Sequence, residues 1–141
     1  MDCFKVKLNY EDAKPPTRGS NEAAGYDLYS HESETVVPKQ IKLIDTGISI
    51  KVPEGTYGRI APRSSVSKKG ILINAGVIDR DYRGPVKIMI HNLSNNDYII
   101  NKNDRIAQLI LEKITTPVIS LVDNLEETER GSGGFGSTGL K

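Results

Sequence analysis

Apolar and polar residues alternate with a period of two in short runs along most of this sequence. Phe4, Val6 and Leu8 alternate with polar residues, and the stretches 41–52 and 86–92 are rich in β-branched and apolar residues. This period is typical of half-buried β-strands. Because Pro, Gly and Asn turns separate the runs, the pattern predicts an all-β sandwich, barrel or jelly roll.

The C-terminal half predicts further strands. Residues 98–114 fit two short strands around a turn at 101–104 better than one helix, because both flanks suit a sheet. Residues 114–122, ITTPVISLV, have the same β-branched and apolar composition as the other strands. We therefore expect 114–122 to be a strand as well.

One short helix is predicted at 64–69. Ser64 or Ser65 is a suitable N-cap, since a serine hydroxyl accepts a hydrogen bond from a free backbone N–H of the first turn. Gly70 is a suitable C-terminal end, because glycine adopts the left-handed conformation that often follows a helix.

Length and charge limit the possible functions. The chain has 141 residues, which suffices for one domain, and its net charge of +1 gives no basic field for nucleic-acid binding. Cys3 is the only cysteine, so an intrachain disulfide and a cysteine-rich zinc site are excluded. No apolar run is long enough for a signal peptide or a membrane span. We expect no membrane partner and an intracellular location, in the cytoplasm, the nucleus or both.

The composition changes near residue 125. The segment from Asn124 to the end contains five glycines and few large apolar side chains, so it cannot form a packed core. The sequence therefore predicts a folded domain at 1–124 and a flexible glycine-rich arm at 125–141. Phe135 stands alone among the glycines and could stack on a flat ring, although the residues alone favour an incidental aromatic in a disordered end.

Two aspartates in the segment 74–84 are candidates for acid–base chemistry. Alternation would place Asp79 and Asp81 on one face of an extended strand, where one could orient a water as general base. A hairpin with two turn aspartates is the simpler interpretation. Glu22 and Asp27 could supply hard oxygen ligands to Mg²⁺, directly or through water.

Two segments are candidates for anion binding. The stretch 58–70 gathers two arginines and three serines where a strand enters the helix, and arginine binds phosphate in a bidentate manner. A capped helix with solvated charges would look the same. Gln108 could contact a phosphate or be a buried, satisfied amide.

Together these segments resemble the five ordered motifs of the homotrimeric dUTPase family. The resemblance extends from 23 to 139 and is carried by AGYDLYS at 24–30, GRIAPRSS at 58–65, NAGVIDRDYRG at 74–84, DRIAQLIL at 104–111 and RGSGGFGSTG at 130–139. It implies an all-β jelly roll, a trimer, and hydrolysis of dUTP to dUMP and pyrophosphate with Mg²⁺. Such an activity lowers dUTP, which limits uracil in DNA, and supplies dUMP for dTMP synthesis.

The resemblance also assigns roles to single residues. Asp79 matches the general base for the water that attacks the α-phosphorus, and Tyr82 matches the tyrosine that packs against the deoxyribose. Asn74, with backbone groups near Gly76 and Ile78, matches the part of the hairpin that binds uracil.

The phosphates and the metal are assigned in the same way. Arg63, Ser64 and Gln108 match phosphate-binding positions, and Asp27 matches the aspartate that holds Mg²⁺ through water. Ser65 departs from the pattern, since the family often has glycine there. The closing arm corresponds to the C-terminal motif, in which the family's positions match Arg130, Phe135, Gly136, Ser137 and Thr138.

The family's active site is shared between subunits, so the resemblance implies that each site takes segments from three chains. Candidates for lining the three-fold axis are Ile88, Ile90, Ile110 and Val118. Two other functions fit less well. A dCTP deaminase, similar in fold, would need a catalytic glutamate, and a nucleotide-dependent signalling protein would not need the intact Asp79, Tyr82 and Phe135.

Overall fold

The computed structural model describes residues 3–136, and within them the chain forms eleven strands and one short helix. No helix in this part of the chain is both long and apolar enough to span a membrane. The elements are β1 Lys5–Leu8, β2 Gly25–Tyr29, β3 Glu34–Val36, β4 Ile41–Asp45, β5 Ile48–Lys51, β6 Thr56–Ala61, α1 Ser64–Ser67, β7 Ile71–Asn74, β8 Val77–Ile78, β9 Lys87–Asn92, β10 Tyr98–Ile100 and β11 Arg105–Lys113.

The strands pair into four small antiparallel sheets. One has four strands in the order β2–β11–β6–β8, and another has three in the order β4–β9–β7. The remaining strands pair as β1 with β5 and β3 with β10. Most of these partners lie far apart in the sequence, so the connections cross between sheets rather than forming simple hairpins. The all-β prediction is confirmed.

A single apolar core lies between the sheets. It is built from alternate residues of the strands, and each fully buried Leu or Ile contributes about 1.5–3 kcal/mol relative to an exposed one. Ile88 and Ile90 are completely buried there, so their predicted place on a three-fold axis is wrong. Among the fully buried side chains are Leu28, Val36, Ile44, Val86, Ile88, Ile90, Ile106 and Leu109.

Two turns are built on Asn and Asp side chains. Buried Asn92 donates from Nδ2 to the carbonyl oxygens of Val36 and Asn96, both at 2.8 Å. The backbone N–H of Asn101 donates to Oδ2 of Asp104 at 2.9 Å. The second turn joins β10 to β11, which confirms two strands in place of a helix at 98–113.

The short helix is present, but its predicted cap is wrong. Arg63 is the N-cap residue, because its carbonyl oxygen accepts the first helical bonds, from the N–H groups of Val66 at 3.0 Å and Ser67 at 2.9 Å. No side chain caps the helix. Ser64 is therefore the first helical residue, and its hydroxyl is exposed. Gly70, with φ of 78°, follows the last turn as expected.

The strand predicted at 114–122 is absent. The last strand ends at Lys113, and one further bond, from Ile114 N–H to Gly55 O at 2.9 Å, holds the chain to the body. Val118 and Leu121 are both 94% exposed. The composition suits a strand, but no neighbouring strand in the described chain pairs with this segment. The division at residue 125 remains a prediction.

Candidate active site

Two guanidinium groups flank one carboxylate where β2 and β11 meet the start of the helix. Arg63 Nε lies 3.6 Å from Asp27 Oδ1, and Arg105 Nη1 lies 3.5 Å from Asp27 Oδ2. Arg63 Nη1 also donates to the carbonyl oxygen of Arg105 at 2.8 Å. The side chain of Asp27 is 19% exposed. The cluster has a net charge of +1 and two planar donor groups, which suits a polyanionic ligand.

Gln108 lies beside this cluster on the central strand β11. The register places it between Asp27 of β2 and Ala61 of β6. Its Nε2 atom donates to the carbonyl oxygen of Pro62 at 2.9 Å. The cross-strand register thus brings together the residues expected from the first, second and fourth motifs, and it adds Arg105.

The connection between β7 and β8 carries the residues expected to meet the base. Asn74 ends β7, and Ala75 and Gly76 follow with φ of 54° and 103°. The carbonyl of Gly76 accepts a hydrogen bond from Ile60 N–H at 2.7 Å. A β-carbon at Gly76 would lie 2.8 Å from the carbonyl oxygen of Ile60, so only glycine permits this approach.

Asp79 is exposed and begins a turn, so the prediction that Asp79 and Asp81 share one face of a strand is wrong. The N–H of Tyr82 donates to the carbonyl oxygen of Asp79 at 3.1 Å, which closes the turn. Strand β8 ends at Ile78 because the chain reverses here. The turn of the simpler interpretation is present, but the segment is not a hairpin, because β7 pairs with β9 and β8 pairs with β6.

Tyr82 lies over a cleft of about 290 Å³ that also contains Asp79. The hydroxyl of Tyr82 donates to the carbonyl oxygen of Pro85 at 2.9 Å, which fixes the ring while leaving the side chain partly exposed. The predicted residues Ile78, Asp79 and Tyr82 therefore share one surface. The lining is completed by Leu43, Val77, Pro85 and Lys87.

Tyr57 lines a second cleft together with Asp79, and its hydroxyl belongs to a hydrogen-bonded group with Glu112 and Arg59. Glu112 accepts hydrogen bonds from the Tyr57 hydroxyl at 2.5 Å and from Arg59 Nε at 2.6 Å. These bonds lower the pKa of Glu112, chiefly through Tyr57 and then Arg59. The hydrogen bond from the Tyr57 hydroxyl to Glu112 raises the pKa of Tyr57, because it stabilises the protonated phenol. A cleft of about 520 Å³ extends from Tyr57 to Asp79.

One chain does not bring Asp79 together with the Arg63 cluster. Strand β6 has Ile78 opposite Gly58 and Gln108 opposite Ala61. These positions are three residues apart, which is roughly 10 Å along a strand. Asp79 follows Ile78 at one end of β6, and Arg63 lies past the other end. The described chain therefore presents two separate polar clusters.

Local hydrogen bonds shape the described part of the C-terminal arm. Arg130 Nε donates to the carbonyl oxygen of Gly133 at 2.6 Å. The side chain of Phe135 is fully exposed. The backbone is left-handed here, with φ of 52° at Phe135 and 77° at Gly136. Ser137 and Thr138 lie outside the described residues.

Metal ligands do not cluster within residues 3–136, since no group of three His, Cys, Asp or Glu side chains converges there. Asp27 is already paired with two arginines, and Glu22 is exposed on the preceding loop. This donor set does not form a protein cage. It fits an ion whose other ligands are water and phosphate oxygens.

Sequence reasoning left Arg105 out of the site. The motif DRIAQLIL contains it among apolar residues, but only Gln108 of that motif was assigned to the site. Only the antiparallel register of β11 against β2 shows that its side chain reaches Asp27. Leu43 and Lys87 were missed for the same reason, because they come from another sheet.

Comparisons with known proteins identify the family. A family model described as dUTPase matches residues 11–139. The deoxyuridine 5'-triphosphate nucleotidohydrolase of Paramecium bursaria Chlorella virus 1 is 56% identical over 142 residues, covering 99% of this chain and 100% of that protein. The structure of Staphylococcus bacteriophage 80alpha dUTPase with dUPNHPP matches with a TM-score of 0.91 and 32% identity, covering 99% and 100%.

A second solved structure has the same fold. A mutant dUTPase from phage phi11 of S. aureus, described as revealing the coordination of a structural Mg(II) ion, matches with a TM-score of 0.83 and 29% identity. The match covers 89% of this chain and 100% of the phage chain. These matches confirm the jelly-roll-like fold class that the sequence predicted. Since the family model spans nearly the whole sequence and the relatives align end to end, the chain belongs to the dUTPase family.

Proposed function

We propose that this chain is a dUTP diphosphatase, which hydrolyses dUTP to dUMP and pyrophosphate. Membership of the dUTPase family supports the substrate and the reaction. The observation that carries the proposal is the pair of guanidinium groups, from Arg63 and Arg105, on either side of Asp27. A triphosphate is bound by concentrated positive charge. Because the net charge of the whole chain is only +1, its overall field is weak and local groups must supply that charge.

The uracil is proposed to bind at the connection between β7 and β8. Asn74 and the backbone near Gly76 and Ile78 would present donors and acceptors that match the edge of uracil. Cytosine would leave those groups unpaired, which costs about 1–3 kcal/mol for each buried group. Close packing of Tyr82 against the deoxyribose would leave no room for a 2′-hydroxyl, so UTP would be rejected.

The phosphates are proposed to bind at the Arg63 cluster and under the arm. Arg63, Ser64 and Gln108 would contact phosphate oxygens from the body of the protein. Phe135 would stack on the uracil when the arm closes, and closure would exclude bulk water, as lids do. The arm would supply further donors to the phosphates, from Arg130, the backbone of Gly136, Ser137 and Thr138.

Asp79 is proposed as the general base. Its carboxylate would accept a proton from a water molecule while the water oxygen attacks the α-phosphorus. The bond from the α-phosphorus to the bridging oxygen then breaks, and pyrophosphate leaves. The exposure of Asp79 beside Tyr82 supports this role, because the carboxylate is accessible to a water and to a bound nucleotide.

Mg²⁺ is proposed as the cofactor, held through water by Asp27. When bound, the ion would neutralise negative charge on the phosphates. The pairing of Asp27 with two arginines fits a carboxylate that holds the ion indirectly, because direct coordination would compete with both ion pairs. The Mg(II) described for the phage phi11 relative is consistent with a metal in this family.

We propose that the enzyme is a homotrimer with shared active sites. The separation of Asp79 from the Arg63 cluster within one chain supports a site completed by a second chain. The exposed apolar segment around Val118 and Leu121 supports contact with another copy, since monomers rarely expose such a run. A head-to-tail contact that closes after three copies gives three-fold symmetry.

In the cell this activity would lower dUTP, limiting uracil in DNA, and would supply dUMP for dTMP synthesis. We propose an intracellular location, in the cytoplasm or the nucleus, because DNA precursors are used there. The division into a body at 1–124 and an arm at 125–141 also belongs to this proposal.

The test is a pyrophosphate-release assay with dUTP, dCTP, UTP and dTTP, with and without EDTA. We expect turnover of dUTP alone and its loss with EDTA. Ammonia release from dCTP would support a deaminase instead, and nucleotide binding without turnover would support a signalling role. Light scattering of the same sample tests the trimer, and a stable active monomer would contradict it.

A further inference from the structure

Strand β11 contains an irregularity near its beginning. Its pairing with β2 places Arg105 opposite Tyr29. The next pair is Ala107 opposite Leu28, so Ile106 is an extra residue without a partner on β2. Ile106 and Ala107 are both completely buried, although successive residues of a regular strand point to opposite faces. The irregularity is therefore a β-bulge at Ile106.

The β-bulge determines which way Arg105 points. Arg105 and Gln108 are three residues apart, and in a regular strand this odd spacing would place them on opposite faces. Gln108 lies opposite Asp27, and Arg105 lies opposite Tyr29. Asp27 and Tyr29 share one face of β2 because they are two residues apart, and directly opposite residues of paired strands share a face. The extra residue therefore brings Arg105 to the face that carries Gln108 and Asp27.

Arg105 thereby contacts two members of the anion-binding cluster with different groups. Its side-chain Nη1 lies 3.5 Å from Asp27 Oδ2, and its backbone carbonyl oxygen accepts a hydrogen bond from Arg63 Nη1 at 2.8 Å. Strand β6 pairs with β11 only from Gln108 onward, so no ladder bond to β6 competes for that carbonyl. The side chain of Arg105 acts on Asp27, while its backbone holds Arg63.

Asp27 lies between the guanidinium groups of Arg63 and Arg105. Arg63 approaches Oδ1 of the carboxylate at 3.6 Å, and Arg105 approaches Oδ2. Both distances exceed the roughly 2.7–2.9 Å of a charge-assisted hydrogen bond, so the two groups act on Asp27 through charge more than through a fixed bond. The side chain of Asp27 is only 19% exposed, so water compensates its charge incompletely and these neighbours supply the rest.

We infer that Arg105 is a positioning residue, which acts on the nucleotide through Asp27 and does not touch the phosphates itself. A carboxylate without compensation beside Arg63 would repel a triphosphate, because their charges have the same sign. Arg105 offsets that charge and keeps Asp27 where it would hold Mg²⁺ through water. This role rests on the proposed function, and it explains the β-bulge, since bulges beside active sites re-aim side chains.

Nucleotide binding without metal tests the role of Arg105 apart from catalysis. Calorimetry would measure the affinity of the full-length protein for a non-hydrolysable dUTP analogue, in EDTA at low salt. Arg105→Gln should weaken binding about tenfold, because Asp27 then faces the triphosphate with less compensation. Arg105→Lys keeps the positive charge and should retain most of the affinity.

Asp27→Asn provides the background that separates the two possible roles. If Arg105 acts through the carboxylate, adding Arg105→Gln to Asp27→Asn should change the affinity by less than about twofold, so the two substitutions would be far from additive. A further loss of about tenfold in that background would show that Arg105 contacts phosphate itself, and it would overturn the inference. An Arg105→Gln variant that binds the analogue as tightly as the wild type would overturn it as well.

Lys113→Gln is the matched control, because it removes one exposed positive charge from the other end of the same strand. It should leave the affinity unchanged, and a loss equal to that of Arg105→Gln would mean that only total charge matters, contrary to the inference. Circular dichroism would check the fold of each variant. If the wild type bound the analogue without hydrolysing dUTP, the proposed function would fall, while the comparison of variants would still decide the role of Arg105. No binding by the wild type would overturn both.

Discussion

Gly25 and Gln108 pack against each other so closely that a β-carbon on Gly25 would overlap the Oε1 atom of Gln108. The added carbon would also lie 2.9 Å from Cδ and 3.0 Å from Cβ of the glutamine. Gly25→Ala should therefore displace Gln108 from its bond to Pro62. Displacement of a positioned group by about 1 Å can cost on the order of 100-fold in rate, so we expect kcat/KM to fall about 10–100-fold in steady-state assays.

Two variants serve as controls for this prediction. Gly19→Ala adds the same methyl group where nothing lies within 4 Å, and it should leave kcat/KM unchanged. Gly25→Ala combined with Gln108→Ala removes the two shortest contacts, to Oε1 and Cδ, so most of the thermal stability should recover while kcat/KM stays low. Full activity of Gly25→Ala would show that Gln108 does not need its observed position.

Asp79→Asn should reduce kcat roughly 10²–10⁴-fold, the usual contribution of a general base, because an amide cannot accept the proton from water. Binding of a non-hydrolysable dUTP analogue, measured by calorimetry, should change little. Asp81→Asn is the matched control on the neighbouring turn residue. If Asp79→Asn kept most of its rate, the proton acceptor would have to be another group.

Removal of residues 130–141 should leave the fold and the oligomeric state intact, because Phe135 is fully exposed and Arg130 donates to Gly133 within the same segment. Turnover should nevertheless be almost abolished, since the nucleotide would stay open to solvent. Circular dichroism, light scattering and the pyrophosphate assay would separate these effects. An unchanged kcat would rule out the arm as a lid.

Glu112→Gln should destabilise the protein in a pH-dependent way. The folded pKa of Glu112 is lowered from its ordinary 4.5 by the hydrogen bonds from Tyr57 and Arg59. The stability that this carboxylate contributes is therefore fully present above pH 4.5, and it is lost as the pH falls through the lowered folded pKa. We expect a lower urea midpoint for the variant at pH 7 and a smaller difference below pH 4.5.

The control for this pH effect is Glu126→Gln, which changes an exposed glutamate in the arm. It should leave the midpoint unchanged across the same pH range. A difference between Glu112→Gln and wild type that stays constant from neutral to acid pH would mean that the carboxylate charge is not what stabilises the sheet.

The sequence predicted the strands well because local alternation reports which residues face the core. It also located the turn at 101–104, since Asp104 bonds to backbone within the same turn. A local sequence pattern predicts a strand wrongly where no second strand is present to pair with it. The segment 114–122 has strand composition, yet a strand forms only when another strand supplies hydrogen bonds, and none is available within the described chain.

The candidate site was predicted only in part, because a local sequence pattern does not reveal contacts between strands. The motifs located Asp27, Arg63 and Gln108, and the register of β11 brings them together. Arg105 was missed because its role depends on a cross-strand contact with Asp27. Ile88 and Ile90 were misplaced because periodicity separates buried from exposed residues but does not separate a chain's own core from a contact between chains.

The exposed run at 118–122 has a consequence for the newly made chain. Val118, Ile119 and Leu121 combine β-branched or aliphatic side chains with no charge and no proline, a composition that promotes cross-β aggregation. In the proposed trimer, a chain that has folded but not yet associated with other copies exposes this apolar segment. Recovery of soluble protein should therefore depend on how fast subunits associate compared with how fast this segment nucleates fibrils.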